Sequence, residues 1–181
     1  MSSSVASDKP ASGEDSLIAR YFKPLATDPG AFGLGDDVVV TTDAIVEGVH
    51  FLPDDPPGTI ARKALRVNLS DLAAKGAMPA GFVLTLALRS ADEAWLKPFA
   101  HALGWDAIQF GCPLLGGDTV STPGPLTISI TAFGRIASGR MVHRSGAKAG
   151  DLVVVTGTIG DAALGLDILR GGGAASALLD K

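Results

Sequence analysis

Lys63-Ala64-Leu65-Arg66-Val67-Asn68-Leu69-Ser70-Asp71-Leu72-Ala73-Ala74 carries two signals at once. Leu65, Leu69, Leu72 and Gly76 recur at i, i+4, i+7 and i+11, the apolar stripe of an amphipathic helix, which predicts a helix over residues 60–76. That leaves Asn68, Asp71 and Lys75 together on another face. Ser70-Asp71 could instead cap the start of a helix, a role common for both residue types. The stripe runs through them, however, so the helix reads as continuous and Asp71 falls in its middle, where aspartate is a poor helix former. A misfit of that kind asks for a functional reason.

Outward from this helix, residues 38–46 are β-branched and predict a strand, 82–88 a second and 126–136 a third. Residues 92–110 predict another long helix, with Trp95, Phe99, Leu103 and Ala107 on one side. The order β-α-β-α-β, with further strands, makes the fold class α/β in two layers, sheet and helix. Upstream, residues 1–13 are rich in Ser, Ala and Gly and read as a flexible tail. A first helix is expected from near Glu14, with Leu17, Ile18, Tyr21 and Phe22 on one face, ended by Pro24 and Asp28-Pro29-Gly30. Downstream of Gly139 a polar link leads to an expected strand over 152–156 and a helix over 161–169. One strand and one helix cannot bury a core, so the organisation expected is an N-terminal domain over 14–138 and, in 139–181, the incomplete opening of a second.

The chain has 181 residues, 46% of them hydrophobic, which is enough for one well-buried domain. Its formal net charge is −4 and no run of five basic residues occurs, so a nucleic-acid partner is not expected and any phosphate must be held largely through metal ions. Gly, Pro or a charge interrupts every apolar stretch before 18 residues, and the Ser-rich start has no signal-peptide core; no membrane partner is expected and the cytoplasm is the expected compartment. The single cysteine, Cys112, sits among apolar residues and reads as a small buried hydrophobe. Three histidines show no zinc-ligand spacing.

Aspartates lie among glycines or hydroxyls in four stretches: Gly35-Asp36-Asp37, Thr41-Thr42-Asp43, Asn68-Leu69-Ser70-Asp71 and Gly116-Gly117-Asp118-Thr119. Such carboxylates suit a hard, oxygen-preferring cation such as Mg²⁺. Asp36, Asp37 and Asp118 read equally well as turn aspartates bonding their own backbone. Asp43, inside a strand pattern where aspartate is depleted, is harder to dismiss. No G-x-x-x-x-G-K-[ST] loop occurs, and Gly157-Thr158-Ile159-Gly160 is better read as a tight turn than as a dinucleotide fingerprint. By residue type alone, Arg144 reads as a solvated charge and His50 as a strand-end residue.

Taken together, Ser16-Leu17-Ile18-Ala19-Arg20-Tyr21-Phe22, Gly35-Asp36-Asp37, Thr42-Asp43, Glu47-Gly48-Val49-His50-Phe51, the segment from Lys63 to Ala74, Gly116-Gly117-Asp118-Thr119 and Arg144-Ser145-Gly146-Ala147 closely resemble the bacterial thiamine-monophosphate kinase family, in family order from about Asp15 to Leu169. The resemblance implies ATP-dependent phosphorylation of thiamine monophosphate to thiamine diphosphate with several Mg²⁺ ions. It implies the two-domain fold shared with aminoimidazole ribonucleotide synthetase, and a homodimer whose N-terminal sheets pair into a barrel. By position it makes Asp37, Thr41, Thr42, Asp43, Asp71 and Asp118 metal ligands, with Asp43, Asp71 and Asp118 catalytic. Gly117, Asp118 and Arg144 fall where the family contacts ATP, His50 where it contacts the thiamine phosphate, and His101 at a variable position near the nucleotide.

Two departures stand against the family pattern. Asp37 and Asp43 are six residues apart, which on one strand is about 20 Å at roughly 3.3 Å per residue, too far to share a metal cluster. The family has a strand, a turn and a returning strand there, so either this chain has lost a hairpin or the sequence omits a segment; Val38-Val39-Val40 reads as the end of the returning strand, which favours omission. The family's C-terminal half, with a further Asp-rich motif and much of the thiamine pocket, is also not in the chain. Competing readings are a sister enzyme, of the selenophosphate synthetase or hydrogenase maturation factor type, and a nucleotide-binding dimerisation domain without turnover.

Overall fold

The computed structural model describes residues 20–21, 38–137 and 139–171. They fall into two compact units divided between His143 and Arg144. The first unit is built on β1 (Val38–Val46), α1 (Pro57–Ala74), β2 (Met78–Leu88), α2 (Glu93–Gln109), β3 (Leu114–Ser121) and β4 (Thr127–Arg135). The strands form one sheet in the order β1-β4-β2-β3. β4 lies antiparallel to both β1 and β2, while β3, reached through the α2 crossover, runs parallel to β2.

Local chemistry sets the helix ends. Proline stands in the first turn of α1, where its missing N–H is no loss. The Asp92 carboxylate accepts from the Ala94 N–H at 2.9 Å and caps α2. α1 buries Ile60, Ala61, Ala64, Leu65, Leu69 and Leu72 against the sheet and α2. The expected continuous helix is therefore present and Asp71 lies inside it, exposed. Asn68 does not share that exposed face; it joins the buried stripe.

Alternation decides the core. Ile128, Ile130, Ala132 and Gly134 of β4 turn toward the helices, beside Phe82, Leu86 and Leu88 of β2. A Cβ added at Gly134 would lie 2.9 Å from Ala77 Cβ and 3.0 Å from Leu72 Cδ2, so β4 approaches the end of α1 this closely only through glycine. Arg66 of α1 reaches the fully buried Asp106 of α2 through Nε at 2.6 Å and Nη2 at 2.9 Å, tying the two helices. Cys112 is fully buried, and burial pushes its thiol pKa up, as fits a packing residue.

Two expectations need correction. Gly116-Gly117-Asp118-Thr119 is not a turn but part of β3, whose eight residues are all exposed and so carry no alternation to read. Residues 152–156 form no strand: Leu152, Val153 and Val154 are 90%, 94% and 81% exposed, and no ladder partner pairs with them among the described residues. In the second unit α3 (Asp161–Leu169) forms as expected, preceded by Gly160 at φ 108°. The first expected helix lies outside the described residues except for Arg20 and Tyr21. Among the described residues no helix is long and apolar enough to cross a membrane.

Candidate functional site

β1 carries the first group of oxygen donors. Val39 and Ile45 are core residues, and Thr41 and Asp43, at the alternate positions between them, are half-buried on the same helix-facing side. Thr41 Oγ1 donates to Asp71 Oδ2 at 2.8 Å, joining the start of β1 to the end of α1. Thr42 points to the other face, where its hydroxyl accepts from Thr131 Oγ1 at 2.9 Å. At the far ends of the same two elements, Glu47 and Ile60 line one cavity, so β1 and α1 run in opposite directions. Asp43 thus lies level with the turn of α1 that precedes Asp71.

That turn contains Asn68, which is fully buried. Its Nδ2 donates to the Ala64 carbonyl at 3.0 Å, while Oδ1 has no partner. Two carboxylates, a hydroxyl and a nearby amide oxygen are hard donors of the kind Mg²⁺ takes, and no ion pair engages Asp43 or Asp71 among the described residues. The donor set fits that cation, although no three His, Cys, Asp or Glu side chains converge among the described residues. Asp37 lies outside them.

Asp118 stands elsewhere. Its register partner is Thr85, which is exposed between the inward residues Leu84 and Leu86, so Asp118 lies on the outer face of the sheet. β4 and β2 separate its strand from β1, roughly 14 Å at about 4.8 Å per strand. Its Oδ1 accepts from the Thr119 N–H at 2.8 Å, the local bond expected of a turn aspartate. At Gly117 the close approach of β3 to β2 demands glycine, because an added Cβ would collide with the Leu84 carbonyl oxygen. Below this edge an apolar cavity of about 230 Å³ opens between α2 and β2, lined by Phe82, Leu86, Phe99, Leu103, Gly104 and Leu114. His101 is exposed on α2, and Arg144 is exposed in the second unit.

His50 is held by its backbone and its ring. Nδ1 accepts the Val46 N–H at 3.0 Å, and the Lys63 ammonium donates to the His50 carbonyl. Nδ1 is thereby engaged by the backbone, and Nε2 makes no hydrogen bond among the described residues. Beside this turn Glu47 takes two bonds from Arg89, at 2.5 and 2.8 Å, and one from the Leu126 N–H at 3.0 Å. The Arg89 guanidinium foremost, then that backbone N–H, hold the Glu47 carboxyl down at about 2. Sequence reasoning gave no role to Glu47, Arg89, Arg66 or Asp106; their pairings span 42 and 40 residues and leave no local pattern.

A mixed sheet covered on one face by two helices, with oxygen donors gathered between β1 and α1, defines an α/β domain suited to a hard cation. Residues 26–136 match the family described as AIR synthase related protein, N-terminal domain, and the chain belongs to that family. It is 47% identical over 174 residues to thiamine-monophosphate kinase of Escherichia coli, covering 88% of this chain and 53% of that protein. The crystal structure of thiamine-monophosphate kinase from Stenotrophomonas maltophilia matches with a TM-score of 0.71 and 40% identity, over 88% of this chain and 54% of that one. A structure described as AaThiL complexed with AMPPCP and TMP matches at 0.70 and 31% identity, over 78% and 47%. The chain spans about half the length of these relatives.

Proposed function

We propose that the whole protein is a thiamine-monophosphate kinase, transferring the γ-phosphoryl group of ATP to thiamine monophosphate in a single in-line step. The observation that carries this reading is the joining of Thr41 to Asp71 with Asp43 on the same face, in a chain so similar to proteins of that name. The acceptor is a phosphate monoester with a second pKa of about 6, already largely an anion at neutral pH, so no strong base is needed. The obstacle is bringing two anions together. Bound Mg²⁺ supplies charge neutralisation and alignment for that encounter.

The residues of the chain do the rest. Asp43, Asp71 and Thr41 hold cation-binding oxygens in a fixed arrangement, the hydroxyl locking the Asp71 carboxylate through its hydrogen bond. Asp37, Thr42 and Asp118 are assigned to metal by resemblance alone. His50, whose Nε2 makes no hydrogen bond among the described residues, is assigned to the thiamine phosphate. Gly117, Asp118 and Arg144 are assigned to ATP; Arg144 would grip phosphate oxygens through paired N–H groups. The cavity beneath β3 has the apolar lining and size that suit a purine base.

The homodimer is also our proposal. Val38, Val40, Met78 and Val120 are exposed on the sheet strands, and a second copy laid against the sheet would cover such residues. The test is Asp71→Asn and Asp43→Asn in the whole protein. Each is expected to lower kcat by at least a hundredfold and to weaken Mg²⁺, with the melting temperature held. Full activity in both variants would refute the assignment.

A further inference from the structure

We infer that Asn68 is a positioning residue of the cation site, its buried Oδ1 accepting a hydrogen bond from a water on the cation that Asp43 and Asp71 hold; the inference rests on the function proposed above. An amide carbonyl left unsatisfied in the interior costs about 1–3 kcal/mol, and an apolar residue at this position of α1 would avoid that cost. Asn68 is fully buried among Ala64, Leu65, Leu69 and Leu72, uses its Nδ2 on Ala64, and keeps Oδ1 without a donor.

Its place in the fold says what the donor is. Asn68 precedes Asp71 by three positions, the spacing that puts two residues on neighbouring parts of one helix surface. Because β1 and α1 run in opposite directions from the Thr41–Asp71 contact, two strand residues advance about as far as four helical ones, at about 3.3 and 1.5 Å per residue. Asp43 therefore faces the turn of Val67 and Asn68. The strand residue paired with Asp43 across the sheet is Ile130, which is buried and has no side-chain donor to offer. The Asp43 carboxylate and the Asn68 Oδ1 are both acceptors, and a hydrated cation between them would supply both a positive charge and O–H donors.

The test is a titration of the protein with Mn²⁺, read by electron paramagnetic resonance without nucleotide, with Mg²⁺ as competitor and a parallel melt. Asn68→Leu keeps the branched shape and removes the oxygen. It is expected to weaken Mn²⁺ by about 10–100-fold, the range for loss of such outer partners, while melting without metal at or above the parent temperature. Asn68→Asp retains an acceptor and is expected to keep binding. If Asn68→Leu fails to fold, Asn68→Ala gives the same reading. Unchanged Mn²⁺ affinity in the oxygen-free variant, with affinity lost in Asp71→Asn, overturns the role of Asn68 alone. Unchanged affinity in both overturns the cation site itself.

Discussion

Replacing Arg66 by Met should strip the buried Asp106 carboxylate of its partner. In the parent, Arg66 meets both oxygens, at 2.6 and 2.9 Å, and its guanidinium also lies 5.7 Å from the Phe110 ring centre. The hydrogen bonds that Arg66 donates to Asp106 hold the guanidinium pKa up, so the arginine stays charged. Removing one member of a buried pair costs about 3–5 kcal/mol, because the other charge stays desolvated. Here the Arg66 side chain is 53% exposed and Asp106 is 0% exposed, so water enters once the arginine is truncated. Screening of that kind brings the expected loss down to about 2–3 kcal/mol. At roughly 2–4 °C per kcal/mol for a chain of this size, the melting temperature should fall by about 4–12 °C. Urea unfolding is the assay, the midpoint falling with an unchanged slope. The companion change Asp106→Leu, made with Arg66→Met, should recover most of the loss by removing the stranded charge. A single-variant loss under about 0.5 kcal/mol, the scale of an exposed pair, would refute the reasoning, as would a double variant no better than the single.

Glu47 gives a pH signature: its folded pKa is lowered from 4.5 to about 2, so its contribution is present above 4.5 and is lost as pH falls from there toward 2. Urea midpoints of Glu47→Gln should lie below the parent at pH 7 and converge with it at the acid end of that window; a constant gap would contradict the assignment. Gly117→Ala forces a Cβ into the Leu84 carbonyl and should weaken binding of a nonhydrolysable ATP analogue by at least tenfold in calorimetry. Thr41→Val should cost about 1 kcal/mol, the worth of one hydrogen bond, and weaken Mg²⁺ as well, which a paired melt and titration would show.

The helices and most of the sheet were legible in the sequence because burial leaves a period. The stripe through Leu65, Leu69 and Leu72 and the β-branched run from Val38 carried α1 and β1, and Asp92 marked the start of α2. β3 was illegible for the complementary reason: an exposed, glycine-bearing edge strand has no buried face to alternate, and its identity comes from pairing with β2. The apolar run after Asp151 misled in the opposite sense, since β-branched residues make a strand only where a neighbouring strand completes the ladder.

The site was half legible. An aspartate inside a helix and another inside a strand were misfits to local propensity, and the fold sets Asp71 and Asp43 on facing elements. Asp118 was ambiguous on residue type, and the register places it across the sheet from them, so its link to the cation rests on resemblance. Asn68 could not be singled out in advance, because an unpaired oxygen is a property of packing and not of spacing.

Phosphorus NMR of the whole protein with ATP, Mg²⁺ and thiamine monophosphate tests the central claim most directly. The monoester resonance should give way to the two resonances of a diphosphate, one ADP appearing per diphosphate formed, and Asp71→Asn should abolish both. Release of inorganic phosphate from ATP with the monoester untouched, or no turnover at saturating substrates, would contradict it.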